Sequence, residues 1–425
     1  MLFDRLYGEI RFPKIIRSLL ACPGIVRLRE IGLGNVPFLS FPSFASCTRY
    51  EHSIGACYLA ELASTSLNLE LRDKIHLMIA CLYHDVATPP FAHTVEDVFR
   101  EKFSFNHEQR LYDLLTGKTD DLGRERAQVF QGRGLKLQSV LQRKEYRELD
   151  LDAYEIASFA IGRSTLGSLV NGSVDLDNID NVVRASSALS IRGANSRLAV
   201  FLAKSFTYSN GRIVFSEETT ENLETWRKIR YRLYSLIYKD AQDFALETMI
   251  KQAVRILTEC RLEEGELREE DWHLTEEELV QTKLMKNPTT REIAVRIRNA
   301  DSYACLALFS VKGTGLHDSL ISEIEQISRK FFGVKEVLVN YHFDKRIRSK
   351  DVLRLQQPLT RFVTTPNQKE LMEEESPNII VGIFTPERLS SIERKLRKSD
   401  FEEAILPVFS NCKLHFSPSG NKERA

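Results

Sequence analysis

The chain is 425 residues long, 43% hydrophobic and 28% charged, with 59 Lys plus Arg balanced by 59 Asp plus Glu. That length allows two or three domains with sizeable cores, and the charge balance announces neither nucleic acid nor membrane as a partner. No apolar run reaches a membrane span, the first residues run straight into charge, and seven cysteines lie scattered without a C-x-x-C pair, which together read as a soluble cytoplasmic protein with reduced core thiols.

Residues 1–48 carry four prolines and several glycines, and read as short helices leading irregularly into a bundle. Arg49-Tyr-Glu-His52 then opens a helix in which His52, Gly55, Ala56, Leu59 and Ala63 fall on one 3.6-residue stripe, so His52 points into a core lined by small residues. A second helix runs from Asp73, placed to cap it, to Asp85, with Ile75, Met78, Ile79, Leu82 and Asp85 in register; Pro89-Pro90 stops it. His84 and Asp85 are thereby expected in its last turn. Neighbours on a helix point about 100° apart, so both reach one ion only if it sits near that edge.

A buried imidazole or carboxylate among apolar neighbours is costly without a partner, and a divalent cation relieves that cost for the whole set. A mixed nitrogen and oxygen set suits Mn, Fe, Mg, Ni or Zn. The plainer alternative makes His52 and His84 hydrogen-bonded core histidines and Asp85 a helix-end carboxylate. Further on, His107 is followed by Glu108, a pair able to keep an imidazole protonated for donation to a leaving oxygen. His93 can bond a phosphate oxygen, and Arg49, one turn before His52, can clamp a phosphate with its planar fork. Taken singly, each also fits ordinary surface charge.

Residues 94–160 read as helices broken by a polar loop at 116–126. Asn171-Gly172 is a turn signal before Asp175-Leu-Asp177, where either aspartate can cap the next helix. Phe206–Phe215 reads as a hairpin around Asn210-Gly211. Thr220–Cys260 reads as a long helix pair rich in Arg and Tyr, either a phosphate or base pocket or a solvated face with inward aromatic edges. Asp271–Leu308 reads as a further helical block. After a glycine-bearing hinge at 311–315 come a helix (Asp318–Phe332), a strand (334–342), a polar run (367–376), a second strand (378–384) and a basic helix (386–398). The run Lys345, Arg346, Arg348 and Lys350 can bind a regulatory nucleotide or a neighbouring subunit, or form a solvated loop. Residues 417–425 are expected to fray.

Thr48-Arg-Tyr-Glu-His-Ser-Ile-Gly55, His84-Asp-Val-Ala-Thr-Pro-Pro-Phe-Ala-His93 and Asn106-His-Glu-Gln109 together resemble successive motifs of the HD superfamily of metal phosphohydrolases, most closely its deoxynucleoside triphosphate triphosphohydrolase branch. Leu6-Tyr-Gly-Glu-Ile and Val26-Arg-Leu-Arg-Glu-Ile resemble that branch's upstream segments. The resemblance covers about residues 1–310 and is most specific over 48–109.

The strand and helix pattern after residue 310 reads as a smaller C-terminal α/β lobe over 311–425. The resemblance itself implies a mainly α HD-domain helical bundle over 1–310 (core 48–190) and a base-contacting loop near 33–41. It implies four metal ligands (His52, His84, Asp85 and Asp177), Arg49 and His93 toward substrate, and His107, Glu108, His93 and Asp85 in catalysis. The branch usually carries a lysine after the metal aspartate, then a tyrosine and a further aspartate. This chain has Asn178, Asn181 and Ala185, which removes the phosphate-neutralising and sugar-edge groups. Three functions follow: a phosphohydrolase releasing inorganic triphosphate from deoxynucleoside triphosphates, a phosphodiesterase on cyclic or oligomeric nucleotides, or a non-catalytic nucleotide-binding regulator. The resemblance further implies homo-oligomers.

Overall fold

A computed structural model of the protein describes residues 1–119, 137–172, 174–209, 211–259, 266–312, 316–343, 378–388, 398–411 and 415–418. Most of the loop expected at 116–126, the hinge residues 313–315, the basic run Lys345–Lys350, the polar run 367–376, most of the basic helix 386–398 and all but the first two residues of the tail lie outside them. The chain is mainly helical, and no helix among the described residues is long and apolar enough to cross a membrane.

Among the described residues, contacts divide the chain into two units, Met1–Leu233 with Val254–Thr290, and Tyr234–Ala253 with the residues from Arg291 onward. Residues 291–310 thus belong with the second unit. The first unit opens on a hairpin, β1 (Leu2–Asp4) against β2 (Gly8–Ile10), paired Leu2 to Ile10 and Asp4 to Gly8. Short helices alone were expected there. The hairpin forms because Asp4 Oδ1 accepts from the N–H groups of Leu6 (2.8 Å) and Tyr7 (2.9 Å), while Gly8 takes the left-handed φ of 74° that closes the turn.

Helix Arg49–Ser66 starts on a reciprocal capping box between Thr48 and Glu51, and buries His52, Gly55, Ala56, Leu59 and Ala63 as their spacing predicts. It packs against helix Leu71–Tyr83. Two expectations fail here. Asp73 lies in that second helix's first turn but does not cap it; the N-cap position is Glu70, without a side-chain bond. The helix also ends at Tyr83, so His84 is its C-cap and Asp85 lies beyond. Val86 N–H bonds back to Tyr83 and Thr88 N–H to Asp85, turning the chain ahead of the two prolines, which disfavour helical backbone before them.

Helices His93–Phe103, His107–Thr116, Ala153–Ala160, Leu176–Ala188 and Ser196–Lys204 complete the surroundings of the site. The hairpin expected at Asn210-Gly211 forms as β3 (Phe206–Ser209) and β4 (Arg212–Phe215), although Asn210 itself is outside the described residues. Helices Thr220–Tyr238 and Ala241–Glu259 match the predicted pair. In its Arg and Tyr cluster, Arg227 pairs with Glu224 and Tyr231 is exposed.

The second unit holds a four-stranded antiparallel sheet ordered β6-β7-β5-β8. Its strands are β5 (Ala304–Lys312), β6 (Leu338–Phe343), β7 (Asn378–Thr385) and β8 (His415–Pro418). Helix Asp318–Phe332 follows β5 and helix Lys398–Asn411 follows β7, which is the β-α-β-β-α-β succession of a ferredoxin-like sheet. Leu320, Ile324, Phe332, Phe401 and Ile405 from these helices share one apolar core with Phe309, Val311, Ile379 and Val381 of the sheet. The strand β5 replaces the helical block expected to reach Leu308, because its apolar run was needed at the centre of the sheet, beside both β7 and β8.

Candidate metal centre and its histidine neighbours

Three stretches far apart in the chain bring their side chains to one point. His52 comes from inside helix Arg49–Ser66, His84 and Asp85 from the end of helix Leu71–Tyr83, and Asp177 from the first turn of helix Leu176–Ala188. Asp175, not Asp177, caps that last helix: its Oδ1 accepts from Asn178 N–H at 2.6 Å and its Oδ2 from Gly172 N–H at 2.6 Å. The cap leaves Asp177 free to face the histidines. Burial, then the neighbouring Asp177 charge, pushes Asp175 up to about 7 despite these bonds.

Tautomers follow from the outer partners. His52 Nδ1 lies 2.8 Å from Asp180 Oδ2, and His84 Nδ1 lies 2.7 Å from the Cys81 carbonyl. A carbonyl and a carboxylate only accept, so both Nδ1 atoms donate, and in the neutral rings both Nε2 atoms present lone pairs. Those two Nε2 atoms are 3.1 Å apart. Asp177 Oδ1 lies 2.9 Å from that of His52 and 3.6 Å from that of His84; Asp85 Oδ2 lies 3.8 and 3.5 Å away. Asp85 Oδ2 is buried without a hydrogen-bond partner.

Four acceptors thus crowd together with no donor among them, which is unstable unless a proton or a cation enters. Ligands of an ion with bonds of about 2.1 Å sit roughly 3 Å apart at adjacent positions, close to the short edges seen here. The donor set fits a divalent metal. His52, His84 and Asp85 are grouped closely enough to hold one by themselves, and Asp177 stands beside them. With protons alone, burial pulls the His52 imidazole down, but its bonds to Asp177 and Asp180 outweigh burial and raise it to about 10. Asp85 is held well below the usual carboxylate range, burial being overcome by Arg49 and the two histidines.

Arg49 is buried and its Nη1 bonds Asp85 Oδ1 at 2.6 Å, an oxygen that also accepts from Thr88 Oγ1 at 3.1 Å. Its Nε is buried without a partner. Behind this loop, the fully buried Arg27 donates to the carbonyls of Val86, Thr88, Trp272, His273 and Leu274, fixing the backbone that carries Asp85. Glu276 takes the Gly32 N–H at 2.9 Å, and burial pushes its carboxyl up to about 7 against the Gly32 and Phe91 backbone bonds and the Arg49 charge.

A second pair of histidines faces a carboxylate that sequence reasoning did not single out. Glu96 is 2% exposed; its Oε2 accepts from His93 Nδ1 at 3.0 Å and its Oε1 from His107 Nδ1 and Arg100 Nη2, both at 2.7 Å. Burial lowers the His107 imidazole, but the bond to Glu96 outweighs it and the net shift is upward. Glu108 was expected to partner His107. Instead its Oε1 accepts from Asn171 Nδ2 at 3.1 Å, since consecutive helical side chains diverge. Glu96 was detectable, standing three residues after His93 and four before Arg100 on one helix face. His76 lies apart from both sets, accepting the Asp152 N–H through Nε2 at 3.0 Å.

Comparison with known proteins places these motifs. A family model described as the HD domain matches residues 49–131. A Dictyostelium discoideum protein described as a deoxynucleoside triphosphate triphosphohydrolase SAMHD1 homolog is 25% identical over 98% of this chain and 82% of its own length. The Bos taurus deoxynucleoside triphosphate triphosphohydrolase SAMHD1 is 33% identical over 25% of this chain, a match spanning only 20% of the bovine protein. Among solved structures, a hypothetical protein from Aquifex aeolicus superposes with a TM-score of 0.65 at 20% identity, covering 93% of this chain and 99% of its own. A phosphohydrolase from Bacteroides thetaiotaomicron gives 0.64 at 16% identity, covering 90% and 99%.

Proposed function

We propose that this chain, which carries an HD domain, is a divalent-metal-dependent phosphohydrolase that cleaves deoxynucleoside triphosphates to deoxynucleoside and inorganic triphosphate. One observation carries the reading: the Nε2 atoms of His52 and His84 and the carboxylate oxygens of Asp85 and Asp177 converge on one point, an acceptor-rich set that a cation satisfies. When bound there, a divalent ion supplies Lewis acidity toward a phosphoryl oxygen and lowers the pKa of water. The similarity to proteins described as triphosphohydrolases supports nucleotides as the substrate class.

In this reading water attacks the α-phosphorus and the 5′-oxygen of the nucleoside leaves. His107, kept protonated by Glu96, gives its proton from Nε2 to that oxygen. His93 bonds a phosphate oxygen in this reading as an imidazolium, with Nδ1 donating to Glu96 and Nε2 to the phosphate. Arg49 holds Asp85 with one nitrogen and keeps the unpartnered Nε as a donor toward phosphate. Glu108, on Asn171, orders the start of the helix that presents His107.

A second reading, phosphodiester cleavage of cyclic or oligomeric nucleotides, is favoured by one feature. Asn178 spends its Nδ2 on Asp175 Oδ1, and Ala185 is a buried methyl, so neither position offers a charge to phosphate or sugar. Incubating the Mn2+-loaded chain with each deoxynucleoside triphosphate, each ribonucleoside triphosphate and several dinucleotides, with products resolved by ion-pair chromatography, decides the matter. Inorganic triphosphate supports the first reading and mononucleotides the second. Absence of any product from every substrate would refute both.

A further inference from the structure

Asp180 stands behind His52 and is fully buried. Its Oδ2 accepts from His52 Nδ1 at 2.8 Å and Arg184 Nε at 2.9 Å; its Oδ1 accepts from Tyr7 Oη at 2.7 Å and Arg184 Nη2 at 3.0 Å. Four donors fill the four lone-pair directions of one carboxylate, so the group has no latitude to rotate. Arg184 Nη1 in turn lies 3.0 Å from Asp4 Oδ2, an ion pair shielded from solvent on both sides. The other Asp4 oxygen holds the turn that presents Tyr7.

The rest of the surroundings are shaped to this cluster. The Tyr7 ring packs on Tyr58, from the helix that carries His52, with centroids 5.1 Å apart. Gly55, one turn after His52, has no side chain where one cannot fit: a Cβ there would lie 2.0 Å from Asp180 Oδ1 and 2.4 Å from Arg184 Nη2. The helix approaches the carboxylate closely only because that position is bare.

We propose that the hairpin β1–β2 is a positioning element of the ion site: through Tyr7, and through Asp4 and Arg184, it fixes Asp180 so that His52 donates from Nδ1 and turns its Nε2 lone pair to the ion. An outer carboxylate that sets the tautomer and ring plane of a ligating histidine governs how well the ligand binds. The hydroxyl of Tyr7, 173 residues away in sequence, belongs to that outer layer. This inference rests on the ion-binding reading above.

The test compares the full chain with its Tyr7→Phe and Asp180→Asn variants. Mn2+ dissociation constants are measured at fixed pH and ionic strength, alongside the thermal midpoint of each metal-free protein. The Nδ1–H proton of His52 is followed by NMR in Zn2+-loaded, imidazole-labelled protein. Asp180→Asn is expected to weaken Mn2+ binding about 10- to 100-fold and to shift or abolish the His52 Nδ1–H signal. Tyr7→Phe, which keeps the ring and its packing, is expected to weaken binding severalfold and to shift the same signal. Should Asp180→Asn fail to fold, Tyr7→Phe decides alone. Loss of thermal stability with unchanged affinity and an unchanged signal would overturn the inference and leave the ion site standing. A wild-type chain that binds no Mn2+ would overturn both.

Discussion

The two histidine pairs use the same side chain to opposite ends. His52 and His84 turn lone pairs toward each other and toward two carboxylates, and their protons point outward to Asp180 and the Cys81 carbonyl. His93 and His107 turn protons inward to a single carboxylate, Glu96, which serves both. The first arrangement gathers acceptors around its centre, and the second gathers donors around one carboxylate. An imidazole's role is thus set by what its second nitrogen faces, and in both pairs that partner comes from outside the motif that makes the histidine conspicuous.

The comparison can be broken most severely at Asp177. Its replacement by Ala removes one of the converging acceptors, and activity against whichever nucleotide the wild type cleaves is expected to fall at least about 100-fold with tight ion binding, beyond the loss typical of outer partners. Retained turnover in Asp177→Ala would place the chemistry elsewhere. On the other side, His107→Ala should lower kcat by about 10²- to 10⁴-fold while Mn2+ affinity stays near the wild-type value. Parallel loss of ion binding would merge the two pairs into one.

A smaller effect separates the pairs by pH. Because the net shift of His107 is upward, its protonated form is present below that raised pKa and is lost as pH rises through it. The alkaline limb of the kcat profile should therefore move to lower pH in Glu96→Gln, where the raising partner is gone. An unmoved limb would dissociate His107 from proton donation.

Two stability measurements sharpen the contrast further. Thr48→Ala removes the capping box from the helix carrying Arg49 and His52, and should cost about 1 kcal/mol in denaturant unfolding. Ala92, with φ of 45° just before His93, occupies backbone that favours glycine. Ala92→Gly is expected to change stability by less than about 1 kcal/mol in the favourable direction, the strain relief being partly offset by a more flexible unfolded chain. A large loss there would mean that the buried methyl matters more than the backbone.

Much of the site was legible because helices print their buried face into sequence. The 3.6-residue stripe through His52, Gly55, Leu59 and Ala63 put His52 inside, and the spacing of Pro89-Pro90 put His84 and Asp85 near a helix end. The choice between Asp175 and Asp177 was open until the cap bond to Asn178 assigned Asp175 to the backbone. Arg27 and Tyr7 stood inside the two upstream segments that resemble the triphosphohydrolase branch, but nothing local gave either a role. Their acceptors lie up to 247 and 173 residues away, and a lone arginine or tyrosine looks the same whether it is a surface residue or a clamp. Glu96 could have been found from helix spacing, had Glu108 not stood next to His107.

In the second unit the strands at 338–343 and 378–385 were legible from short apolar runs, whereas β5 was read as the end of a helical block. Ala304-Cys-Leu-Ala-Leu-Phe-Ser-Val-Lys312 is apolar at every position from Ala304 to Phe309, and polar residues enter only at Ser310 and Lys312. Continuous apolarity has no period, so helix and strand cannot be separated by it alone.

The account stands on one ion shared by four side chains. Equilibrium dialysis of the full chain against Mn2+, followed by elemental analysis, measures it directly. One ion per chain in the wild type, with tight binding lost in Asp85→Ala and in Asp177→Ala, is the predicted result. Equal uptake by the wild type and both variants, or none by the wild type, would contradict it.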